Sequence, residues 1–389
     1  MMHVASLKDI KNGKVTDVYF ARTLEILQTK KIKKRVKAEF ITKNLPNDWQ
    51  WGVLAGIEEC TELLKDFKVS VRAMKEGTLF RPYQPVMEIE GEYTHFGIYE
   101  TALLGFLCQA SGVATRAARC KKVAGMRGVI SFGARRMHPS ITPMIERNAY
   151  IGGCDGVATL IAADLIGEKA IGTMPHALIV IMGDSTSASR AFDEVIDRNV
   201  NRIALVDTFG DEKFETLNVA RALGDNLFGV RLDTPGSRRG NFFRILEEVR
   251  WELNLRGFSK VKLLVSGGID EQEILKLNPL VDAYGVGTAI SNAPVIDFSM
   301  DIIEMDGVPV AKRGKMSGSK RVVRCPECLR DKIVPHSEEK INCECETEMK
   351  DLLLPLIEEG KLEEPLPRAK EIRKYVLEQV EKFSLDEGK

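Results

Sequence analysis

The sequence has no run of about 18 consecutive apolar residues, so no bilayer-spanning helix is expected. It has no excess of charge of one sign. Its 56 Lys and Arg balance 56 Asp and Glu, which argues against a general nucleic-acid coat but not against a local anion site. Its opening, MMHVASLKDIKNGKVTD, lacks the apolar core of a signal peptide, so export is not expected and a cytoplasmic location is. Aromatic residues make up only 7%, and there is neither a long low-complexity linker nor a clear repeat. What is there is an ordinary globular composition of 389 residues, 44% hydrophobic and 29% charged. At about 100–200 residues per domain this predicts two or three domains, with a core large enough to need no staples.

Eight cysteines without an export signal suggest thiols or metal ligands rather than a disulfide framework. Cys60, Cys108, Cys120 and Cys154 are scattered in apolar or helical surroundings and read as small buried residues. The other four form one cluster: Cys325-Pro-Glu-Cys328, fourteen residues, then Cys343-Glu-Cys345. Two close thiolate pairs can close a tetrahedral shell around a structural zinc ion, giving a small zinc-knuckle-like module. The second pair is CxC rather than CxxC, and the competing reading is two redox pairs or four free thiols. Four thiolates complete the shell, so His336, between the pairs, reads as a surface residue.

Along the chain the pattern is α/β. Residues 1–115 read as a mixed α/β domain, with a helical pattern from Asp17 to Gln28, the strand-like VMEIEGEY, and an apolar helix from Ile98 to Ala110. The basic run Lys30, Lys31, Lys33, Lys34, Arg35, Lys37 is a solvated face or a wall for an anionic substrate. Between 116 and 290, GVISF, GVATL, KAIGT, IALVD, FGVRL, KLLVS and AYGVG are expected strands separated by helical stretches such as Ala188–Asn199 and Phe214–Gly224. This alternation implies parallel strands. Several end in Thr173, Asp207, Asp233, Ser266 or Gly287, which favours an irregular α/β barrel with its chemistry at the C-terminal strand ends over an open doubly wound sheet. Residues 291–320 are expected to return to the N-terminal domain as short strands. Residues 321–389 hold the zinc module and an exposed amphipathic helix carrying Ile372, Val376, Leu377 and Val380.

Four segments carry candidate chemistry. Ser266-Gly267-Gly268 and Gly285-Val286-Gly287-Thr288 are two Gly-rich strand ends about twenty residues apart, a pattern that fits a phosphate site built by successive βα loops. Phe132-Gly133-Ala134-Arg135 offers an aromatic ring and a guanidinium whose fork suits a carboxylate or phosphate. Arg231 and Asp233 add a cation and a carboxylate after another strand. His176, in the loop Gly-Thr-Met-Pro-His, is the histidine of the five expected to act as base, nucleophile or hydrogen-bond donor.

Taken in order, SFGARRMHPS, GGCDGVATLIAADLIGEKAIGTMPHALI, VDTFGD, VRLDTPG, VSGGID and YGVGTA resemble the nicotinate phosphoribosyltransferases of the type II phosphoribosyltransferase fold, over roughly residues 14–320. The cysteine tail is similar to an extra C-terminal module of archaeal members. The resemblance implies transfer of phosphoribosyl from phosphoribosyl pyrophosphate to nicotinate in NAD biosynthesis or salvage. It implies nicotinate mononucleotide and pyrophosphate as products, Mg²⁺ as cofactor and coupling to ATP hydrolysis. It implies that Tyr19, in Asp17-Val18-Tyr19, stacks on the pyridine in the neighbouring subunit's site, so that a homodimer or higher oligomer shares its sites. Phe132 would cover the other ring face, Arg135 would hold a carboxylate or phosphate, and Asp155 would stand beside the ring. His176 would be the phosphorylatable histidine, and Asp207 would lie near magnesium and pyrophosphate. Arg231 and Asp233 would handle ribose and phosphates. Ser266, Gly267, Gly268, Gly285, Gly287 and Thr288 would bind the 5-phosphate. Lys312–Lys315 resembles a basic turn of relatives only weakly. Quinolinate or nicotinamide transfer are the alternatives, and a zinc-ribbon nucleic-acid-binding protein is a distant one.

Overall fold

The computed structural model describes residues 3–385. The chain divides into two compact units, one formed by the residues up to Thr115 together with those from Pro294 onward, the other by Arg116–Ala293. No helix among the described residues is long and apolar enough to cross a membrane.

The first unit is built on a seven-stranded antiparallel sheet. Its middle strand is Pro85–Glu92, paired with Arg35–Thr42 on one side and Val69–Met74 on the other, and Arg35–Thr42 pairs in turn with Phe298–Met305. Register aligns buried apolar residues across the strands: Phe40 faces Met300 and Met87, and Ala38 faces Ile89. Such cross-strand rows hold one face of the sheet in a single register, because a slip of one residue would turn them outward. Leu103 and Leu107, from the helix Glu100–Ala124, close the core over this sheet. The expected return of the segment after residue 290 is the Phe298–Met305 strand. Of the basic run, Lys34 pairs with Asp306, Arg35 with Glu90, and Lys37 with Glu90 and Glu304, so this part is a set of ion pairs on and beside an interior strand of the sheet.

The C-terminal helix, Ala369–Lys382, corrects an expectation. Its stripe is not exposed: Ile372, Val376 and Val380 are buried. It docks where Gly77 has φ +88°, and a Cβ there would come within 2.9 Å of Ile372 and Val376. Gln379 accepts from the Leu79 amide and donates to the Gly77 carbonyl, each at 3.0 Å. The cysteine cluster lies beside a three-stranded sheet of Asp331–Pro335, Lys320–Arg324 and Lys350–Asp351.

The second unit is a six-stranded parallel sheet in the order Gly156–Val157, Gly128–Ser131, Ala283–Val286, Lys262–Ser266, Leu227–Leu232, Arg202–Leu205. It is a curled half-barrel rather than a closed barrel: its two edge strands each pair with one neighbour. Six of the seven expected strands are present. The seventh, KAIGT, is irregular, and its one backbone tie to the sheet is Ile171 N–H to the Val157 carbonyl at 2.8 Å. Gly172 and Pro175 disfavour extending that tie into a ladder. Gly156 has a steric role here, since a Cβ on it would overlap the Ile171 side chain.

Candidate active site at the half-barrel mouth

The C-terminal ends of the parallel strands bring Phe132, Arg231, Asp233 and Ser266 together. Arg231 is the hub. Its Nε donates to Ser266 Oγ (3.0 Å), Nη1 to Thr173 Oγ1 (2.6 Å) and Nη2 to Asp233 Oδ2 (3.1 Å). Ser266 Oγ in turn donates to Asp233 Oδ1 at 2.7 Å. The guanidinium carbon lies 5.4 Å from the Phe132 ring centroid, within reach of a cation–π contact. The ring packs against Gly285, where a Cβ would overlap it. Two glycine motifs of the sequence thus have different uses. Gly285 leaves room for the Phe132 ring. Gly267 and Gly268 take φ +77° and +63°, a backbone that side-chain-bearing residues seldom adopt. The amides of Gly267, Gly268 and Gly287 donate to no backbone carbonyl among the described residues, and both Gly267 and Gly268 are exposed. Free amides on adjacent strand ends suit an anion. Thr288 is exposed beside them.

His176 opens the helix His176–Met182, and its Nε2 stands 3.4 Å from Asp207 Oδ1. The Asp207 side chain is 1% exposed, yet no lysine or arginine pairs with it and neither oxygen receives a hydrogen bond of good geometry, the His176 imidazole and the Asp233 amide lying only nearby. Burial pushes its carboxyl up, with His176 pulling partly the other way. A buried carboxylate without donors is costly unless a cation or proton meets it. This arrangement fits a divalent metal held jointly with phosphate oxygens.

Sequence reasoning missed Arg239. Its Nε donates to the Thr234 carbonyl at 2.7 Å, and its Nη2 donates to the carbonyls of Ser266 (2.8 Å) and Gly267. It braces the Gly-Gly turn from outside. The available signal was the SRRG stretch just past the Asp233 strand end. Thr173 was noted only as a strand end, and its bond to Arg231 was not foreseen.

One expected residue is placed differently. Asp155 is not at the mouth: its Oδ2 accepts from Lys121 Nζ and from the Val129 amide, both at 2.8 Å. That contact lies at the N-terminal part of the Gly128–Ser131 strand, away from the Ser131 end, so a ring-side role for Asp155 is withdrawn. Arg135 sits in the short turn Ala134–Arg136 after Phe132 and is exposed. Tyr19 belongs to the other unit. It lies on Val18–Thr29, a helix with no buried residue, and is itself 56% exposed. Thr101 anchors the start of that helix, donating to Asp17 Oδ2 at 2.8 Å.

In the cysteine module the Sγ atoms of Cys325, Cys328, Cys343 and Cys345 all lie within 4.8 Å of one another. The separations Cys325–Cys345 (3.5 Å), Cys328–Cys343 (3.3 Å) and Cys328–Cys345 (3.9 Å) bracket the tetrahedral edge of about 3.8 Å that zinc–sulfur bonds of about 2.3 Å produce. The Cys328 amide points at Cys325 Sγ (3.5 Å), as in a turn folded under a metal. The cluster can hold a metal ion. His336 stays exposed and outside it. Cys60, Cys120 and Cys154 are buried, as expected of inert thiols, and burial pushes the Cys60 and Cys120 thiols well up; Cys108 is partly buried.

An anion cradle at the C-terminal ends of a parallel half-barrel, in a chain that also carries a separate antiparallel unit, fits a phosphate-handling enzyme of the α/β class. Residues 17–111 match the family described as quinolinate phosphoribosyl transferase, N-terminal domain, and residues 113–301 match its C-terminal domain. The chain belongs to the type II phosphoribosyltransferases, the enzyme family of the quinolinate and nicotinate phosphoribosyltransferases. It is 29% identical over 318 residues to a nicotinate phosphoribosyltransferase of Mycobacterium tuberculosis, covering 72% of this chain and 70% of that protein. The crystal structure of a nicotinate-nucleotide pyrophosphorylase from Pyrococcus furiosus is 55% identical, with a TM-score of 0.97 over 99% of each chain. Human nicotinic acid phosphoribosyltransferase shares the fold, with a TM-score of 0.73 at 20% identity over 95% of this chain and 94% of that one.

Proposed function

We propose that this enzyme transfers phosphoribosyl from phosphoribosyl pyrophosphate to nicotinate, releasing pyrophosphate and nicotinate mononucleotide in NAD biosynthesis. The observation that carries the proposal is the Arg231–Asp233–Ser266 hub beside the Phe132 ring, with free glycine amides on the adjoining strand ends. In the reaction the pyridine nitrogen forms a bond to the sugar C1 as the bond from C1 to pyrophosphate oxygen breaks. The lone pair on nitrogen replaces the departing pair, so no general acid is needed at that step. What the enzyme must supply is alignment and stabilisation of developing charge.

Phe132 offers one stacking face for the ring, and Tyr19 of a neighbouring copy offers the other, in a homodimer or larger oligomer with shared sites. Arg135 takes the carboxylate. Arg231 and Asp233 hold ribose and phosphates; Ser266, Gly267, Gly268, Gly285, Gly287 and Thr288 line the 5-phosphate cradle. Asp207, whose oxygens lack donors, would hold magnesium with the substrate's phosphates. The ion would neutralise charge on the departing pyrophosphate. His176 is the acceptor for the ATP γ-phosphoryl group. The Asp207 carboxylate, 3.4 Å from Nε2, would stabilise positive charge on the ring. The four cysteines hold one structural zinc, with no position left open for substrate. All substrates are soluble metabolites, which suits a cytoplasmic enzyme.

Two observations favour quinolinate as a second reading: the family description and the name of the Pyrococcus structure. Mononucleotide formation from nicotinate, quinolinate and nicotinamide, measured in parallel with and without ATP, decides between them. Nicotinate turnover stimulated by ATP is expected. Turnover of quinolinate alone would replace the first reading with the second.

A further inference from the structure

The far end of the half-barrel sheet, opposite the mouth, carries a second concentration of positive charge that the proposed reaction does not use. Lys262 opens the strand Lys262–Ser266, Asp282 immediately precedes Ala283–Val286, and Arg127 immediately precedes Gly128–Ser131. These three strands are parallel and adjacent, so the three residues share one end of the sheet. Arg250 joins them from the helix Phe242–Leu255. All four line one cavity of about 400 Å³, within the range of small-molecule sites.

Charge in this cavity does not balance. Asp282 is the one carboxylate lining it among the described residues, and it is shared. Its Oδ1 accepts from Lys262 Nζ (3.0 Å), and its Oδ2 from Arg250 Nη2 (3.2 Å) and the Leu263 amide (2.8 Å). Arg127 has no carboxylate partner among the described residues. Its guanidinium donates to backbone carbonyls, those of Val281 (2.9 Å), Ala124 (3.4 Å) and Asn278. Three cations against one carboxylate leave an excess of two positive charges, in a chain whose net charge is zero. The Arg250 side chain is 21% exposed, so water screens this excess less than it would on an open surface. A carbonyl satisfies a guanidinium N–H but supplies no counter-charge, and partly buried charge without one is costly.

We infer that this cavity is a second anion site, separate from the cradle at the mouth, and that its ligand is a phosphate group, free or carried on a sugar. The excess of two positive charges matches a phosphate dianion, and guanidinium groups suit its oxygens. No aromatic side chain lines the cavity among the described residues, so it offers no stacking face for a nucleotide base. Asn254 and Ser259, both exposed, also line it and can meet the hydroxyls of a sugar.

The test uses the full chain. Titration calorimetry with inorganic phosphate, and separately with ribose 5-phosphate, is run on the wild type, Lys262→Glu and Arg127→Gln, with melting temperature as the check on folding. Phosphate also suits the cradle at the mouth, so the signal is the component of binding that the far-end variants remove. That component should weaken about tenfold or more in each variant, the effect of losing one charged partner. It should also fade as sodium chloride is raised. Crystals soaked in tungstate, a heavy mimic of phosphate, should show anomalous density in the cavity beside Arg127, Arg250 and Lys262. Tighter binding of ribose 5-phosphate than of phosphate assigns the rest of the cavity to a sugar, and equal binding assigns it to the free anion. Arg127 also braces three carbonyls, so if Arg127→Gln melts early the half-exposed Lys262 and the tungstate map decide. Unchanged binding in a folded Lys262→Glu protein, or tungstate at the mouth alone, would overturn the site. Tungstate in the cavity with no matching component in solution would mean an adventitious ion only, and would overturn it too. None of these outcomes bears on the reading of the mouth, which turnover tests.

Discussion

Two aspartates, one in each unit, have side chains at most 2% exposed and opposite surroundings. Asp301, in the antiparallel sheet, meets Lys312 and Lys315 at 2.5 Å each, and Ser299 donates to it at 3.0 Å. Burial pushes its carboxyl up, but the two lysines and the serine outweigh this and hold it below the usual range. Asp207, at the half-barrel mouth, has an imidazole 3.4 Å away and no donor on either oxygen, and burial raises its carboxyl. The first carboxylate is finished as the chain folds. The second is left incomplete, and an incomplete buried charge marks where a cation or substrate belongs. The cysteine module resembles Asp301 in this respect: with a metal bound, every ligand is used and nothing is open.

Breaking a finished site should cost the most. Cys328→Ser is expected to abolish metal binding, where the unaltered protein should carry about one zinc per chain by metal analysis. Because metal binding to such modules is coupled to their folding, and is worth on the order of 10 kcal/mol in isolated zinc-finger peptides, the 320–351 region should become open to proteolysis. Retained metal in that variant would remove Cys328 from the ligand set.

Asp301→Asn comes next. It strands Lys315, whose side chain is 7% exposed, as an unpaired buried charge, at a cost of about 3–5 kcal/mol. A lower denaturation midpoint with an unchanged denaturant slope would show this. The wild-type contribution of Asp301 should be present at neutral pH and fade as pH falls through its depressed pKa, because protonation releases the lysines. A variant as stable as wild type at pH 7 would erase the contrast.

The smallest effect on stability has the opposite sign. Asp207→Asn should abolish or sharply reduce transfer yet make the ligand-free protein more stable, since it removes a buried carboxylate without donors. Each kcal/mol relieved should raise the melting temperature by about 2–4 °C for a unit of this size. A raised folded pKa means that ionising Asp207 weakens the fold at neutral pH and that protonation relieves this. The advantage of asparagine should therefore shrink as pH falls through that pKa. A destabilised Asp207→Asn protein would mean that the carboxylate is satisfied after all.

The sequence made legible the features that short spacing fixes. Two cysteine pairs with short spacers point to one cluster wherever the module lies. Gly267 and Gly268 announce a left-handed turn because side chains disfavour that backbone. Six of the half-barrel strands are runs of residues that suit a buried parallel ladder, and their polar ends named Asp207, Asp233 and Ser266. Local pattern also misled. KAIGT has strand-like residues but makes a single backbone bond to the sheet and forms no ladder. Asp155 lies within one of the motifs that carry the resemblance, but only the fold shows that its carboxylate bonds Lys121 and the Val129 amide.

What the sequence by itself determined is therefore the parts list: strand ends with their polar residues, glycine turns, and the four-cysteine spacing. These need only backbone preferences and short-range geometry. Which parts meet was decided by the tertiary structure. The Arg231–Thr173 bond spans 58 residues, and the C-terminal helix is held by Gln379 bonds to residues about 300 positions away. Burial of Asp207 without a donor is likewise a property of the assembled strand ends. Contacts of that range have no local signature, because their free energy exists only once the strands between them have been ordered.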